Sequence, residues 1–213
     1  MARIICLAIG YLCGLFQTGY FYSRKKDFDL RANGSGNSGT TNTIRTMGWK
    51  AGGIVFLGDV LKCFLAVFLV WLIYHKVETV DLKILQIYGA AGCILGHDFP
   101  FYLNFKGGKG MACTAGMIGC VLPIMIPIEL AVFLIPVFTT RYVSLGSILV
   151  SIGLPIFAGL FHSAGWLYAE GTHMTEFILL LCAIGALNIF RHRSNIVRLL
   201  HGNENKIGSK KKS

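Results

Sequence analysis

The sequence predicts an all-α, polytopic integral membrane protein of seven transmembrane helical segments, two of them short, with the N-terminus outside and the C-terminus in the cytoplasm. Three observations carry this. Hydrophobic residues make up 54% of the 213 positions and charged residues only 14%, well to the apolar side of ordinary soluble domains. The apolar residues fall in long unbroken runs that one water-soluble core does not require. The basic residues cluster beside those runs: of 20 Lys and Arg, six lie in residues 23–50 and seven lie from Arg191 onward. A net charge of +10 would suit a nucleic-acid binder, but cations placed against membrane spans mark cytoplasmic loops, so no nucleic-acid partner is expected.

The first run, Ile4 to Tyr22, follows a single Arg3 as a signal peptide would. No small-residue cleavage pattern comes after it, and Gln17, Thr18, Tyr20 and Tyr22 end it, so it reads as a retained span. It delivers the chain to a basic cytoplasmic loop over 23–50. Ala51 to Tyr74 is long enough to cross about 30 Å of hydrocarbon. Within it Asp59 and Lys62 stand at i and i+3, on one helix face, as a neutralising ion pair turned into the bundle. Residues 75–81 form an outer loop, and Ile84 to Leu95 returns the chain to the cytoplasm near His97.

Met111 to Thr139 then decides the count. As a single helix it would place Arg141, and finally the basic C-terminus, outside, against the positive-inside rule. Pro123 and Pro127 break it instead into two short segments, because proline inside a helix removes a hydrogen bond and kinks it. Val143 to Phe161 leads to the loop 162–173, which lacks Lys and Arg and falls outside. Phe177 to Phe190 returns to a cytoplasmic basic end. One transmembrane domain over 1–208 and a basic tail over 209–213 account for the chain.

Seven cysteines, an odd number with no CxxC pair, read as lipid-facing or packing residues. Cys113 alone sits near a loop motif, where packing is favoured over nucleophilic chemistry.

Four polar segments interrupt the apolar pattern, and all fall on the cytoplasmic side. The first, SGNSGTTNTIR from Ser35, places hydroxyl and amide residues between glycines, so that N–H and O–H donors can meet one anion. Arg45 adds a permanently charged planar fork. A flexible Gly/Ser linker is the plainer alternative, but it would not need two asparagines and an arginine. The second, GHDFPFYLNFKGGKG from Gly96, sets glycines and Lys109 before an apolar helix, an anion cradle backed by the helix dipole. It is not a Walker A loop. His97 precedes it, either as a catalyst or as a helix-end cap. The third, RYVSLGS from Arg141, opens a span with hydroxyls on its first turn, with interfacial anchoring by Arg141 and Tyr142 as the alternative. The last, HRSNIVRLLHGNENKIG from His192, is basic and amphipathic and suits a helix lying on anionic lipid.

Together these four ordered pieces, with Gly58-Asp59-Val60-Leu61-Lys62 in the second span, resemble the bacterial acyl-phosphate:glycerol-3-phosphate acyltransferases, the PlsY family. The likeness covers essentially the whole chain. It implies a seven-span enzyme of the plasma membrane with its active site facing the cytoplasm. That enzyme would move an acyl group from acyl phosphate to the sn-1 hydroxyl of glycerol 3-phosphate, giving lysophosphatidic acid and phosphate. Glycerol 3-phosphate, acyl phosphate and membrane lipid are the implied partners, a monomer is the expected state, and no cofactor is expected. Carried over position by position, the resemblance implies Ser35, Asn37, Thr41, Asn42 and Arg45 from the first piece, and His97, Gly107, Gly108, Lys109 and Gly110 from the second. Ser144 and Ser147 come from the third, and His192 and Asn195 from the last, with Ser35, Arg45, His97, Lys109 and His192 in catalytic roles. The chain departs from the family pattern at Ser38, Thr40, Cys63 and Cys113, where proline, alanine or serine, glycine and threonine are usual. None of these departures removes a cation.

Acyl phosphate is already activated, so positioning and charge stabilisation suffice without a covalent intermediate. Arg45 and Lys109 would hold the two phosphates, with backbone N–H groups of Gly107 to Gly110 beside them. The proton acceptor is His97, His192 or the substrate's own phosphate, with the last favoured. The sequence offers no obvious triad, no histidine and aspartate are separated by four residues as in the other large acyltransferase class, and Asp59 and Asp98 are not gathered with other aspartates, so metal dependence is not expected. The rival reading is a transporter or channel for a phosphorylated solute. It would call for inverted repeats, and the two halves show no convincing similarity.

Overall fold

The computed structural model describes residues 1–167 and 173–208; part of the loop expected outside, and the expected basic tail, lie outside the described residues. Among the described residues all regular structure is helical. Five helical stretches, Ala2–Arg24, Trp49–Tyr74, Pro123–Thr140, Val143–Ser163 and Met174–Arg191, are long and apolar enough to cross a membrane, and Met111–Val121 is a shorter apolar helix. The chain divides into two compact units, Met1–Pro123 and Ile124–Ser213.

The first unit contains α1 (Ala2–Gly14), α2 (Thr18–Arg24), α3 (Thr40–Met47), α4 (Trp49–Tyr74), α5 (Leu82–Asp98) and α6 (Met111–Val121). Glycine brings α1 and α5 together. A Cβ on Gly10 or Gly14 would strike the backbone of Gly89 or Cys93, and one on Gly92 or Gly96 would strike that of Leu7 or Tyr11. Helices in lipid gain little from hydrophobic exclusion, so close backbone approach through small residues is what holds them. Gly92→Val therefore pushes backbone against backbone, and we expect a loss of about 3 kcal/mol, read as a lower melting temperature in detergent. α4 shows the complementary arrangement: Val55, Cys63, Ala66 and Val70 are fully buried, while Leu57, Leu61, Leu65 and Leu72 are exposed on the face suited to lipid.

The first apolar run is not one continuous helix. α1 stops at Gly14 and α2 starts at Thr18, leaving carbonyls that must find partners in an apolar setting. Lys62 Nζ donates to Phe16 O at 2.8 Å and Gly14 O at 3.4 Å, and Gln17 Nε2 donates to His97 O at 3.0 Å. Gln17, which reads from sequence as the polar end of a span, is 1% exposed and closes a break inside it.

The run from Met111 to Thr139 is interrupted near the prolines that predicted it: α6 ends at Val121, a 3₁₀ turn covers Pro123–Met125 and α7 (Ile126–Thr140) follows. The second unit comprises α7, α8 (Val143–Ser163), α9 (Met174–Arg191) and the short α10 (Arg193–Leu200). Pro136 and Pro155 lie inside α7 and α8. Thr140 Oγ1 donates to Pro136 O at 2.6 Å and helps end α7. Arg141 then takes a left-handed conformation at φ 65°. Its carbonyl accepts from Ile207 N at 2.9 Å while its Nη2 donates to Ile207 O at 2.9 Å, so the segment after α10 folds back onto the third motif.

Candidate active site

In the first unit the two glycine-rich motifs form neighbouring loops, and asparagine side chains shape the first. Gly34 and Gly36 have φ of 65° and 70°, a region that favours glycine, and their turns wrap around Asn42. The Asn42 Nδ2 donates to the carbonyls of Leu30, Asn33 and Asn37 at 3.2, 3.0 and 2.9 Å. Its Oδ1 accepts from Ser35 N at 2.8 Å. Asn42 is 2% exposed, so it is the hub on which the loop is wound. Ser35 is exposed on that loop, and Thr41 and Arg45 are half-buried on α3, Arg45 in its last turn.

The second loop is tied to the first directly. Asn37 Nδ2 donates to Gly107 O at 3.2 Å, while its Oδ1 accepts from Gly39 N at 2.9 Å. A second link runs through Ser38 Oγ, which donates to Gln17 Oε1 at 3.2 Å, and on through Gln17 to the His97 carbonyl. Lys109 sits half-buried between Gly108 and Gly110, and Gly110, at φ 72°, caps the start of α6. Asn37 on the first loop and Gly107 on the second thus meet, two residues before Lys109.

The glycine amides play a different part from the one their composition implies. Gly107 N donates to Asp98 O at 3.1 Å and Gly108 N to His97 O at 3.0 Å. Both amides are engaged in folding the loop, which runs through Lys109 into the start of α6, the end of that helix with partial positive charge. His97 is likewise a buried element, 3% exposed, with Nδ1 2.7 Å from Lys62 Nζ. Asp59 and Lys62 are paired as expected, at 2.9 Å.

Beside Gly36 a cleft of about 430 Å³ is lined by Arg24, Asp29, Arg31, Ala32 and Lys106. Three cations against one carboxylate make it an electropositive approach to the loops. Tyr102 donates to Leu15 O at 2.6 Å, and its partial burial pushes the phenol above its ordinary value, so it remains a donor through neutral pH.

In the second unit, Ser144 and Ser147 are buried in the first turns of α8. Ser147 Oγ is turned back to Val143 O at 3.0 Å, whereas Ser144 Oγ has no hydrogen-bond partner among the described residues. His192, 4% exposed, links α9 and α10 with Nδ1 2.8 Å from Asn188 O. A carbonyl only accepts, so Nδ1 is the donor in this contact. Asn195 Nδ2 donates to Glu204 Oε1 at 3.0 Å, and Arg198 Nε donates to Glu204 Oε2 at 2.8 Å.

Glu204 and the Arg24–Arg31–Lys106 cleft were passed over in the sequence, where Gln17 and Thr18 read only as the polar end of a span. Glu204 was visible as the lone acid in a basic segment. Glu204→Ala leaves the Arg198 and Asn195 donors without their acceptor, and we expect about 3 kcal/mol of lost stability, measured as a lower melting temperature. Among the described residues no three His, Cys, Asp or Glu side chains gather as a metal site.

Residues 4–202 match the family model for glycerol-3-phosphate acyltransferase. The chain belongs to the glycerol-3-phosphate acyltransferase family. It is similar to the glycerol-3-phosphate acyltransferase of Clostridioides difficile (strain 630), 41% identical over 212 residues that cover 98% of this chain and 97% of the relative. It is also 39% identical to that of Staphylococcus saprophyticus, over 97% of this chain and 98% of the relative. Among solved structures it is similar to PlsY (YgiH), an integral membrane glycerol 3-phosphate acyltransferase, in its glycerol 3-phosphate form. The TM-score is 0.81 and the identity 33%, over 98% of this chain and 96% of that one. The lysophosphatidic acid form of the same protein matches with a TM-score of 0.80 and 32% identity, over 98% and 96% of the two chains. The chain is thus an integral membrane glycerol-3-phosphate acyltransferase by family, and its helical architecture agrees with that of a solved member.

Proposed function

We propose that this chain transfers a fatty acyl group from acyl phosphate to the sn-1 hydroxyl of glycerol 3-phosphate at the cytoplasmic face of the plasma membrane. The observation that carries this reading is the junction of the two glycine-rich loops through Asn37 and Gly107, which brings the loop wound on Asn42 beside the loop holding Lys109. Cations on a wound polar loop, next to helices with lipid-facing surfaces, suit phosphate-bearing substrates whose product belongs in the bilayer. The solved relative's glycerol 3-phosphate and lysophosphatidic acid forms are consistent with the acceptor and product assigned here.

In this reading the hydroxyl oxygen of glycerol 3-phosphate attacks the acyl carbonyl carbon and the bond from that carbon to the phosphate oxygen breaks. The hydroxyl proton passes to the acceptor's own phosphate, and inorganic phosphate leaves. Arg45 and Lys109 neutralise the two phosphates, and Ser35 donates its hydroxyl to one of them. Gly107 and Gly108 shape the loop, and Gly110 sets the start of α6. Asn37 and Asn42 hold the first loop in its anion-facing form, and Thr41 contacts substrate. For the second unit, taken by itself, the family resemblance assigns substrate contacts to Ser144, Ser147 and Asn195 and a catalytic role to His192. Seven crossings place the N-terminus outside, the C-terminus in the cytoplasm and every motif loop on the cytoplasmic side. The protein works as a monomer.

The donor assignment is tested by phosphate release. Purified protein in micelles with palmitoyl phosphate should liberate one phosphate per acyl group transferred, and only when glycerol 3-phosphate is present. Palmitoyl-CoA should give no product. Equal rates with palmitoyl-CoA, or release independent of glycerol 3-phosphate, would remove acyl phosphate as the dedicated donor. In the same assay Arg45→Ala should lower kcat/KM by about a hundredfold, and Arg45→Lys should recover only part of it, because a point charge does not replace a planar fork.

A further inference from the structure

We infer that Asp59, Lys62 and His97 form a buried positioning network that holds Gly108, and through it Lys109, in register for phosphate binding; this rests on the acyltransferase reading above. An ion pair inside a span needs only to cancel its own charge. This one does more. The Lys62 ammonium has three N–H donors, and three strong acceptors surround it: Asp59 Oδ1 at 2.9 Å, His97 Nδ1 at 2.7 Å and Phe16 O at 2.8 Å. Because the ammonium donates to Nδ1, the ring proton of His97 is on Nε2.

The Nε2 edge lies against Gly108, where a Cβ would overlap Nε2, Cε1 and Cδ2 of the ring. The same histidine's carbonyl accepts from Gly108 N. His97 therefore grips the residue before Lys109 from both its side chain and its main chain. That carbonyl also accepts from Gln17, whose Oε1 accepts from Ser38 on the first loop. Asp59 Oδ1 in turn accepts from Thr18 Oγ1 at 3.0 Å. With Lys62 6%, Asp59 1% and His97 3% exposed, the three groups do not meet substrate from solvent. Their influence reaches the site through Gly108 and Gln17, at the base of both substrate loops. A ring fixed at both ends sets the loop more narrowly than packing alone, and displacement of about 1 Å at a site can cost about a hundredfold.

Breaking the pair on one side would bury an unpaired charge and endanger the fold, so the test keeps the charge balanced. The double variant D59N/K62M removes both charges at nearly constant volume, and His97→Phe keeps a ring of similar size without its hydrogen bonds. For each folded variant, the Kd for glycerol 3-phosphate is measured by calorimetry alongside KM and kcat. Both Kd and KM should rise about tenfold or more, and adding His97→Phe to the double variant should bring no further rise, because all three residues act through one ring. A purely structural pair would lower the amount of folded protein and leave Kd and KM of the folded fraction unchanged. Wild-type-like Kd in D59N/K62M, or in His97→Phe if the double variant does not fold, overturns the network. Wild-type turnover tests the acyltransferase reading separately, since Kd does not depend on it.

Discussion

Lys109→Ala should lower kcat/KM for acyl transfer by about 10²- to 10³-fold, which is roughly 3–4 kcal/mol of transition-state stabilisation, while the protein remains folded. Lys109 follows a glycine pinned by His97 and precedes the left-handed Gly110 that starts α6. Its backbone thus leads directly into the positive end of α6, where a cation and the helix terminus favour the same developing negative charge. The residue is half-buried, so its removal need not open the core. Initial rates over a range of both substrates, with melting curves as the control for folding, measure the effect. A rate within about threefold of wild type would be too small for a direct phosphate contact and would take Lys109 out of the site.

Gly108→Ala should be nearly as damaging, for a steric reason. The added methyl would occupy the position of the His97 imidazole, and that ring cannot yield because Lys62 holds its other edge. The loop must move instead, and a displacement of about 1 Å can cost about a hundredfold in rate. Gly53→Ala is the matched control: a Cβ there meets nothing within 4 Å, and alanine is the better helix former by about 1 kcal/mol. Activity falling in Gly108→Ala and holding in Gly53→Ala is the expected pair of results. Equal activity in both would mean that the loop accommodates the methyl and that its geometry is not critical.

The helical membrane architecture was legible because apolar run length is a strong signal, and Pro123 and Pro127 marked the break between α6 and α7. The break in the first span was not legible as one. Gln17 and Thr18 are polar residues that read equally well as a span's end, and only the structure shows the carbonyls of Gly14 and Phe16 directed to Lys62. The motif loops were visible from residue type, but the division of labour inside them was not. Asn42 looks like a substrate ligand in sequence, and its side-chain amide bonds instead to the loop backbone at Leu30, Asn33, Ser35 and Asn37. His97 looks like a base beside an anion cradle and is held under the loop by a lysine thirty-five positions earlier. Sequence separation hides such pairings, because nothing in local composition says that residue 62 faces residue 97. The fold-back of Ile207 onto Arg141 was hidden for the same reason.

The measurement that bears most directly on the whole account is product identification. Purified protein in micelles is incubated with labelled glycerol 3-phosphate and palmitoyl phosphate, and the lipid extract is analysed for labelled lysophosphatidic acid and for the position of its acyl chain. The expected result is 1-acyl product, formed in proportion to protein and at an initial rate lower by about a hundredfold or more with Lys109→Ala. No labelled lipid, together with uptake of glycerol 3-phosphate by sealed vesicles carrying the same protein, would contradict it and make the chain a carrier of its proposed substrate.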